Sequence, residues 1–243
     1  TGYTFNFNLF RDPKIMIDKF HQRGIHVGLC IDPTEGFYPH EQYYKQASEF
    51  LGVTNNKIIL FDPLNPKILD VWFKAFLHPL ENYGIDFFWN DYRGSSDPTN
   101  LWITNHYLYL DSGRNSAKRS MILARNGIYA PHLYPVLYGG SSEVSWDALK
   151  NLPFQYLNAA NIGVSWWSHD VGGYKGGIEE SELYIRYLEL SVYSPMLRFH
   201  GARGPYYKRE PWLWDVKTES IAADYLRLRH RLIPYLYTEA YNY

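Results

Sequence analysis

Several features are scarce or missing in this chain of 243 residues. A single cysteine, Cys30, excludes an intramolecular disulfide framework and a zinc site built on cysteines. The 24 Lys+Arg balance 25 Asp+Glu, so no excess of positive charge favours a nucleic acid or an anionic membrane as a partner. No apolar run approaches the length that a membrane-spanning helix needs. The start, Thr-Gly-Tyr, has neither an initiator methionine nor a signal-peptide pattern. We therefore expect a part of a longer protein, without membrane or nucleic-acid partners, whose compartment, cytoplasmic or secreted, stays open.

Common cofactor and metal motifs are also missing. No G-x-G-x-x-G follows a predicted strand, and no P-loop pattern or G-x-S-x-G occurs. The nine histidines are scattered, without H-x-x-x-H or H-E-x-x-H spacing. We predict no cofactor and no metal.

Aromatic residues are abundant, at 18% of the chain, with 23 Tyr, 13 Phe and 8 Trp. Sugars present flat, half-apolar faces and many hydroxyl groups, and aromatic rings with polar tips are suited to bind them. The alternative is that the same rings only pack a core, with their polar tips at its edge. Composition by itself leaves both interpretations open.

Short apolar runs alternate with helical patterns along the whole chain, which predicts βαβ units and a parallel sheet. We count six strands, of which the last covers residues 196–199, and two final helices, 218–233 and 235 onward. An ionisable residue follows five of the strands: Asp32, Asp91, Arg125, Asp170 and His200. Polar groups at several strand ends are typical of a (β/α)8 TIM barrel, whereas a doubly wound sheet concentrates its site at one switch point. We predict an α/β fold of the TIM-barrel type with about six βα units, forming one domain over residues 1–243.

Four stretches and the tail carry a resemblance to a known family. They are residues 85–92 (IDFFWNDY), 122–125 (ILAR), 166–174 (WWSHDVGGY), 194–200 (SPMLRFH), and 209–212 (REPW) with 226–237 (LRLRHRLIPYLY). In order and spacing they resemble glycoside hydrolase family 31, the α-glucosidase and α-xylosidase family. The resemblance implies an eight-stranded barrel of which this chain lacks the first two strands, a cofactor-free retaining mechanism, a glycoside or oligosaccharide substrate, and further domains in a longer glycosidase.

The resemblance also implies catalytic roles. Retaining glycosidases use two carboxyl groups about 5–5.5 Å apart, one as nucleophile and one as acid and base. Asp91 matches the family's nucleophile. The family's acid, an aspartate, is replaced by Ser141, and Glu143 lies two residues further on. Three interpretations stay open: Glu143 is the acid, the chain is a variant without the acid, or the protein is no longer a hydrolase.

Substrate-binding roles are implied for residues at the other strand ends. They are Asp32, Trp89, Arg125, Asp170 and His200, which we expect to meet with Asp91 in one concavity at the carboxyl ends of the strands. The structural alternative is an Arg–Asp pair in the barrel mouth and a histidine bound to backbone. The functional alternatives are a transglycosylase or lyase on the same site, and a non-catalytic carbohydrate-binding relic. Cys30, in the middle of a strand, is expected to be buried.

Overall fold

A computed structural model describes residues 2–54, 56–93, 97–116, 118–125, 127, 129–134, 136–204 and 207–242. The chain forms two compact units, Thr1–Ala130 and Pro131–Tyr243. Within the described residues, no helix combines the length and the apolar character needed to cross a bilayer.

Where the structure describes it, the first unit is built of three parallel strands and the helices that connect them. Its strands are β1 (Gly28–Ile31), β2 (Phe87–Asn90) and β3 (Ile122–Arg125). Its helices are α1 (Pro13–His21), α2 (Tyr44–Leu51), α3 (Pro66–Val71), α4 (His78–Asn82) and α5 (Pro98–Ser112), with a π-helical segment Trp72–Leu77 between α3 and α4. Strand β1 pairs with β2, and β2 with β3, both in parallel. Helices α1, α3 and α5 each begin with a side chain that caps the first turn and with a proline in that turn. Proline suits this position because its φ is already helical. The N–H that it lacks would have found no partner in the helix.

The pairing register sorts the side chains of these strands into two faces. Ile31, Asn90 and Ala124 share one face and are at most 2% exposed. On this face Asn90 donates from Nδ2 to Oδ1 of Asn105 in α5 at 2.7 Å. Because strand side chains alternate, the residues that follow each of these three lie on the opposite face. The register therefore fixes which residues are available for a site.

Aromatic side chains form much of the core in the first unit. Phe37 and Phe76 stack with ring centres 4.2 Å apart, and Tyr3 packs against both. Trp72 donates from Nε1 to the Tyr3 hydroxyl at 3.2 Å. Here the packing alternative for the aromatic excess is confirmed.

In the described residues of the second unit, two short parallel strands lie among three α-helices. These are β4 (Val136–Tyr138), β5 (Trp167–Ser168), α6 (Trp146–Asn161), α7 (Ser181–Ser191) and α8 (Val216–Asn242). Leu137 pairs with Trp167, and Tyr138 with Ser168. The core between the helices contains Leu183, Tyr187, Leu188, Val192 and Ala222, each at most 1% exposed. Parallel strands separated by helices in both units confirm the α/β prediction.

Two predicted elements differ in the structure. In the described residues the predicted sixth strand, 196–199, is reduced to a parallel bridge between Ser168 and Met196 and a backbone hydrogen bond from the Val171 N–H to the Arg198 carbonyl at 3.1 Å. This pairing is too short to form a regular strand. The predicted break at Pro234 was also wrong, since α8 is one helix of 27 residues that contains this proline. Proline costs a helix one hydrogen bond, and neighbouring turns can continue around it.

Candidate active site

Three of the predicted site residues lie together at the end of the first unit's sheet. Asp32, Asp91 and Arg125 share the face opposite the buried one, at matching register positions on three neighbouring strands. The Asp91 amide donates to the carbonyl of Ile31 at 2.9 Å, so the ladder between β1 and β2 continues to this point. The parallel register, rather than a loop, brings the three side chains side by side.

Asp91 and Arg125 form a direct ion pair. The Asp91 Oδ1 atom lies 2.7 Å from Arg125 Nη1, and the two side chains are 15% and 21% exposed. A short charge-assisted hydrogen bond of this kind fixes the orientation of a carboxylate. In the described part of the chain, the other oxygen, Oδ2, accepts no hydrogen bond, and Arg93 Nε is 3.7 Å from it. Asp91 is therefore held through one oxygen and keeps the lone pairs of the other.

Arg93 is a site residue that the sequence analysis missed. Its Nε and Nη2 atoms donate to Oδ2 of Asp32 at 3.1 and 2.7 Å. Its backbone N–H donates to the Thr34 hydroxyl at 3.0 Å, and that hydroxyl donates to Asp32. The signal in the sequence was its position two residues after Asp91, on the same side of an extended chain.

Below the charged layer, Cys30, Trp89 and Leu123 occupy matching positions on the same face. Trp89 is thus placed one layer beneath Asp91 on the same face. The prediction of a buried Cys30 was wrong, because its side chain is exposed on the site face. The surrounding protein still desolvates the thiol, and this desolvation, with the charges of Asp91 and Asp32, raises the pKa of Cys30 to about 11. The thiol is therefore neutral at pH 7.

In the second unit, Asp170 is buried against Arg198. Its Oδ1 atom lies 2.5 Å from Arg198 Nη2, and the carboxylate side chain is 0% exposed. Arg198 also donates from Nε to the Ser168 hydroxyl at 3.1 Å and lies over the Tyr138 ring, 4.5 Å from its centre. An Arg–Asp pair of this kind is what the structural alternative predicts, and here Asp170 contacts Arg198 directly.

His169, next to Asp170, is part of a buried hydrogen-bond chain. Its Nδ1 pairs with the Tyr156 hydroxyl and its Nε2 with the Ser191 hydroxyl, the latter at 2.8 Å. Ser191 donates its own proton to the carbonyl of Tyr187, so its oxygen accepts a hydrogen bond from Nε2 of His169. Burial, with the charge of Arg198, lowers the pKa of His169 to about 4.

His200 and Glu143 lie on loops of the second unit. His200 is half-buried and stacks on Tyr174, with ring centres 5.3 Å apart. Glu143 is exposed, and its loop packs closely on a glycine-rich one. A Cβ on Gly173 would lie 2.6 Å from the Glu143 carbonyl oxygen, so a side chain there would collide with this backbone. Ser141 is exposed as well.

The predicted residues thus fall into two groups. Asp32, Trp89, Asp91 and Arg125 are brought together in the first unit, whereas Glu143, Asp170 and His200 belong to the second. The roles assigned to them stay predictions. Among the described residues, no three His, Cys, Asp or Glu side chains are grouped so that they could hold a metal ion.

Parallel strands with ionisable groups at their carboxyl ends are the arrangement found in (β/α)-barrel enzymes. The chain belongs to glycoside hydrolase family 31, since the model of that family's TIM-barrel domain matches residues 1–239. This match confirms both the family resemblance and the TIM-barrel prediction.

Individual relatives agree with this assignment. An α-xylosidase of Saccharolobus solfataricus is 25% identical over 99% of this chain and 36% of its own length. An α-glucosidase 2 of Bacillus thermoamyloliquefaciens is 26% identical, over 97% of this chain and 35% of its own length. Among solved structures, the cycloalternan-degrading enzyme of Trueperella pyogenes in complex with a covalent intermediate has a TM-score of 0.78 at 20% identity, over 95% of this chain and 38% of that one. The chain spans about a third of the length of the curated relatives that it matches.

Proposed function

We propose that the chain carries the nucleophile of a retaining α-glycosidase and that this nucleophile is Asp91. The observation that supports the proposal most directly is the asymmetry of the carboxylate. Arg125 binds Oδ1 at 2.7 Å, while Oδ2 accepts no hydrogen bond in the described part of the chain. A carboxylate fixed in this way presents a free lone pair in a defined direction, which an attacking group needs.

The proposed reaction has two steps. In the first, Oδ2 of Asp91 attacks the anomeric carbon, the bond to the leaving oxygen breaks, and that oxygen takes a proton. The product is a β-glycosyl ester of Asp91. In the second step water adds to the same carbon, its proton passes to the group that gave one up in the first step, and the carboxylate leaves. The relatives named as α-xylosidase and α-glucosidase, and the covalent intermediate in the cycloalternan-degrading enzyme, support this chemistry.

Glu143 is the proposed proton donor. Its loop is packed against the backbone of Gly173 and Gly177, where added Cβ atoms would lie 2.6 and 2.0 Å from main-chain oxygens. This packing supports a defined position for the loop. Ser141, which has no acidic proton near neutral pH, favours the second candidate function, a carbohydrate-binding protein without hydrolytic activity.

The test is Asp91→Asn in the full-length protein, assayed on an activated aryl α-glycoside whose leaving group needs little protonation. We expect a loss of more than about a hundredfold in kcat, because the amide is a poor nucleophile. Treatment of the parent with a fluorinated glycoside, followed by mass spectrometry of its peptides, should place the sugar on Asp91. The matched control is Asp224→Asn, an exposed carboxylate paired with Arg227 on α8, which should leave the rate unchanged. A near-normal rate in the Asp91 variant would exclude Asp91 as the nucleophile.

A further inference from the structure

Two side chains hold a glycine-rich loop of the second unit by its backbone. This segment, residues 172–177 with the sequence GGYKGG, is called the glycine loop below. Its Gly173 carbonyl accepts hydrogen bonds from Nε and Nη2 of Arg209 at 3.0 and 2.6 Å. Its Gly176 N–H donates to the Tyr207 hydroxyl at 3.1 Å. The loop is therefore bound at two of its residues by one short stretch of chain.

Arg209 is itself fixed in position. Its side chain is 7% exposed, and Nη1 donates to the Lys208 carbonyl at 2.8 Å and lies 4.0 Å from Oε2 of Glu179. Glycine backbone lies close to the guanidinium, since a Cβ on Gly172 would be 3.4 Å from its Cζ and one on Gly201 would be 3.0 Å from its Nε. All three nitrogens of this planar group thus donate to main-chain oxygens, at angles that the group itself sets.

The glycine loop also supports the segment that contains Glu143. A Cβ on Gly173 would lie 2.6 Å from the Glu143 carbonyl oxygen, and a Cβ on Gly177 would lie 3.1 Å from Cγ of Glu143. The Tyr174 N–H donates to the carbonyl of Ser142 at 2.8 Å. Both the backbone and the side chain of Glu143 therefore rest on this loop.

We infer that Arg209 is a positioning residue for Glu143 and that it acts by fixing the glycine loop. The inference rests on the proposed function, in which Glu143 is the proton donor. The Glu143 side chain is exposed, and its carboxylate has no hydrogen bond or ion pair within the described residues. Its direction is thus set by the loop beneath it, and the place of that loop is set by Arg209.

The same role accounts for the motif at residues 209–212 (REPW), which takes no part in the proposed reaction. The Tyr184 hydroxyl, on the buried helix α7, donates to the Arg209 carbonyl at 3.0 Å. A short 3₁₀ helix, Pro211–Leu213, follows. The motif therefore connects the glycine loop to the helical core of the second unit.

The inference is tested by the dependence of the rate on the leaving group, in the full-length protein. The readout is kcat/KM for a disaccharide divided by kcat/KM for an activated aryl α-glycoside, whose leaving group needs little protonation. Arg209→Lys keeps the charge but loses the planar fork. Because misplacing a catalytic group by about 1 Å can cost about a hundredfold, this ratio should fall roughly tenfold or more. Tyr207→Phe, which removes one exposed hydrogen bond to the loop, should lower it by a smaller factor.

Two comparisons separate positioning from general destabilisation. In a Glu143→Gln background, Arg209→Lys should change the ratio by less than about twofold, because the group through which it acts is gone. The matched control is Arg229→Lys. Arg229 also donates to main-chain carbonyls of the second unit, among them those of Val192 and Pro195 at 3.0 and 2.8 Å. This control should lower the melting temperature and leave the ratio as it is in the parent.

The inference is overturned if Arg209→Lys leaves the ratio unchanged while Glu143→Gln lowers it, or if Arg209→Lys has its full effect in the Glu143→Gln background. If Arg209→Lys does not fold, Tyr207→Phe decides by the same two criteria. An unchanged ratio in Glu143→Gln itself is a different failure, because it refutes the proton donor of the proposed function, and the inference with it.

Discussion

Asp170 and Arg198 form an ion pair whose carboxylate is completely buried, with 2.5 Å between Asp170 Oδ1 and Arg198 Nη2. Removal of one partner from such a pair leaves the other as an uncompensated charge in a medium of low polarity, which costs about 3–5 kcal/mol. We therefore expect Asp170→Ala to lower the free energy of unfolding by about 3 kcal/mol or more in a denaturant titration. Asp224→Ala, at the exposed pair with Arg227, should cost less than about 1 kcal/mol. Equal losses of unfolding free energy in the two variants would show that the buried pair stabilises the fold no more than the exposed pair does.

His169 should make stability depend on pH. Its folded-state pKa is about 4, below the ordinary value of 6.5. Above pH 6.5 neither state binds the proton, and the native state keeps its full stability. As the pH falls from 6.5 towards 4, the unfolded state takes up a proton that the native state excludes, so stability is lost. Between pH 7 and pH 5 this linkage amounts to about 2 kcal/mol. In His169→Gln the free energy of unfolding should depend on pH less strongly than in the parent, by that amount. An unchanged dependence of the unfolding free energy on pH would contradict the neutral buried ring.

Gly177 should be intolerant of a side chain for a steric reason that can be isolated. Its φ is +68°, and an added Cβ would lie 2.0 Å from the carbonyl oxygen of Val144. Gly52 has nearly the same φ, +67°, with no atom within 4 Å of the added Cβ. Gly52→Ala should therefore cost only the conformational penalty of about 1–2 kcal/mol. Gly177→Ala should cost at least about 1–3 kcal/mol more, as overpacking does. The measurement is the melting temperature of each variant under the same conditions. Gly177→Ala should melt at the lower temperature, and equal melting temperatures would contradict the steric explanation.

Arg125 and His200 should each contribute to the reaction. Arg125→Ala removes the 2.7 Å hydrogen bond to Asp91, and we expect kcat/KM to fall roughly tenfold to a hundredfold, the equivalent of about 1.5–3 kcal/mol. His200→Ala should have a similar effect if this ring binds a sugar hydroxyl. The measurement is kcat/KM together with the dissociation constant of a sugar-ring inhibitor. Binding as tight as in the parent would make both residues structural.

The identity of the acid can be read from the dependence on the leaving group. If Glu143 donates the proton, Glu143→Gln should slow hydrolysis of a disaccharide far more than that of an activated aryl glycoside. If the acid is missing, Glu143→Gln should have little effect and Ser141→Asp should raise the rate on the poor leaving group selectively. No effect of either change on either substrate would place the proton donor elsewhere.

Much of the candidate site could be predicted from the chain alone. The α/β class and the positions of Asp91, Arg125 and Asp32 at strand ends follow from local patterns, because an apolar run followed by an ionisable residue is a short-range signal. The family was indicated separately, by the resemblance of whole motifs in their order along the chain. The missed residue, Arg93, has no such signal apart from its spacing. Its place in the charged cluster depends on Asp32, which lies 61 positions away.

Elsewhere the sequence determined residue types and the tertiary structure determined their partners. The motif around Asp170 predicts a functional segment, yet only the packing shows that this carboxylate is buried on Arg198, 28 residues later. Likewise, the apolar sequence of β1 does not show that Cys30 faces the site. A strand that is buried on both faces and a strand that borders a site have similar apolar sequences. Periodicity and strand-end chemistry are encoded within a few neighbouring residues, so the sequence specifies them directly. The hydrogen bonds that Asp32 accepts, the free oxygen of Asp91 and the neutral ring of His169 depend on atoms brought together from distant segments, and only the folded chain decides them.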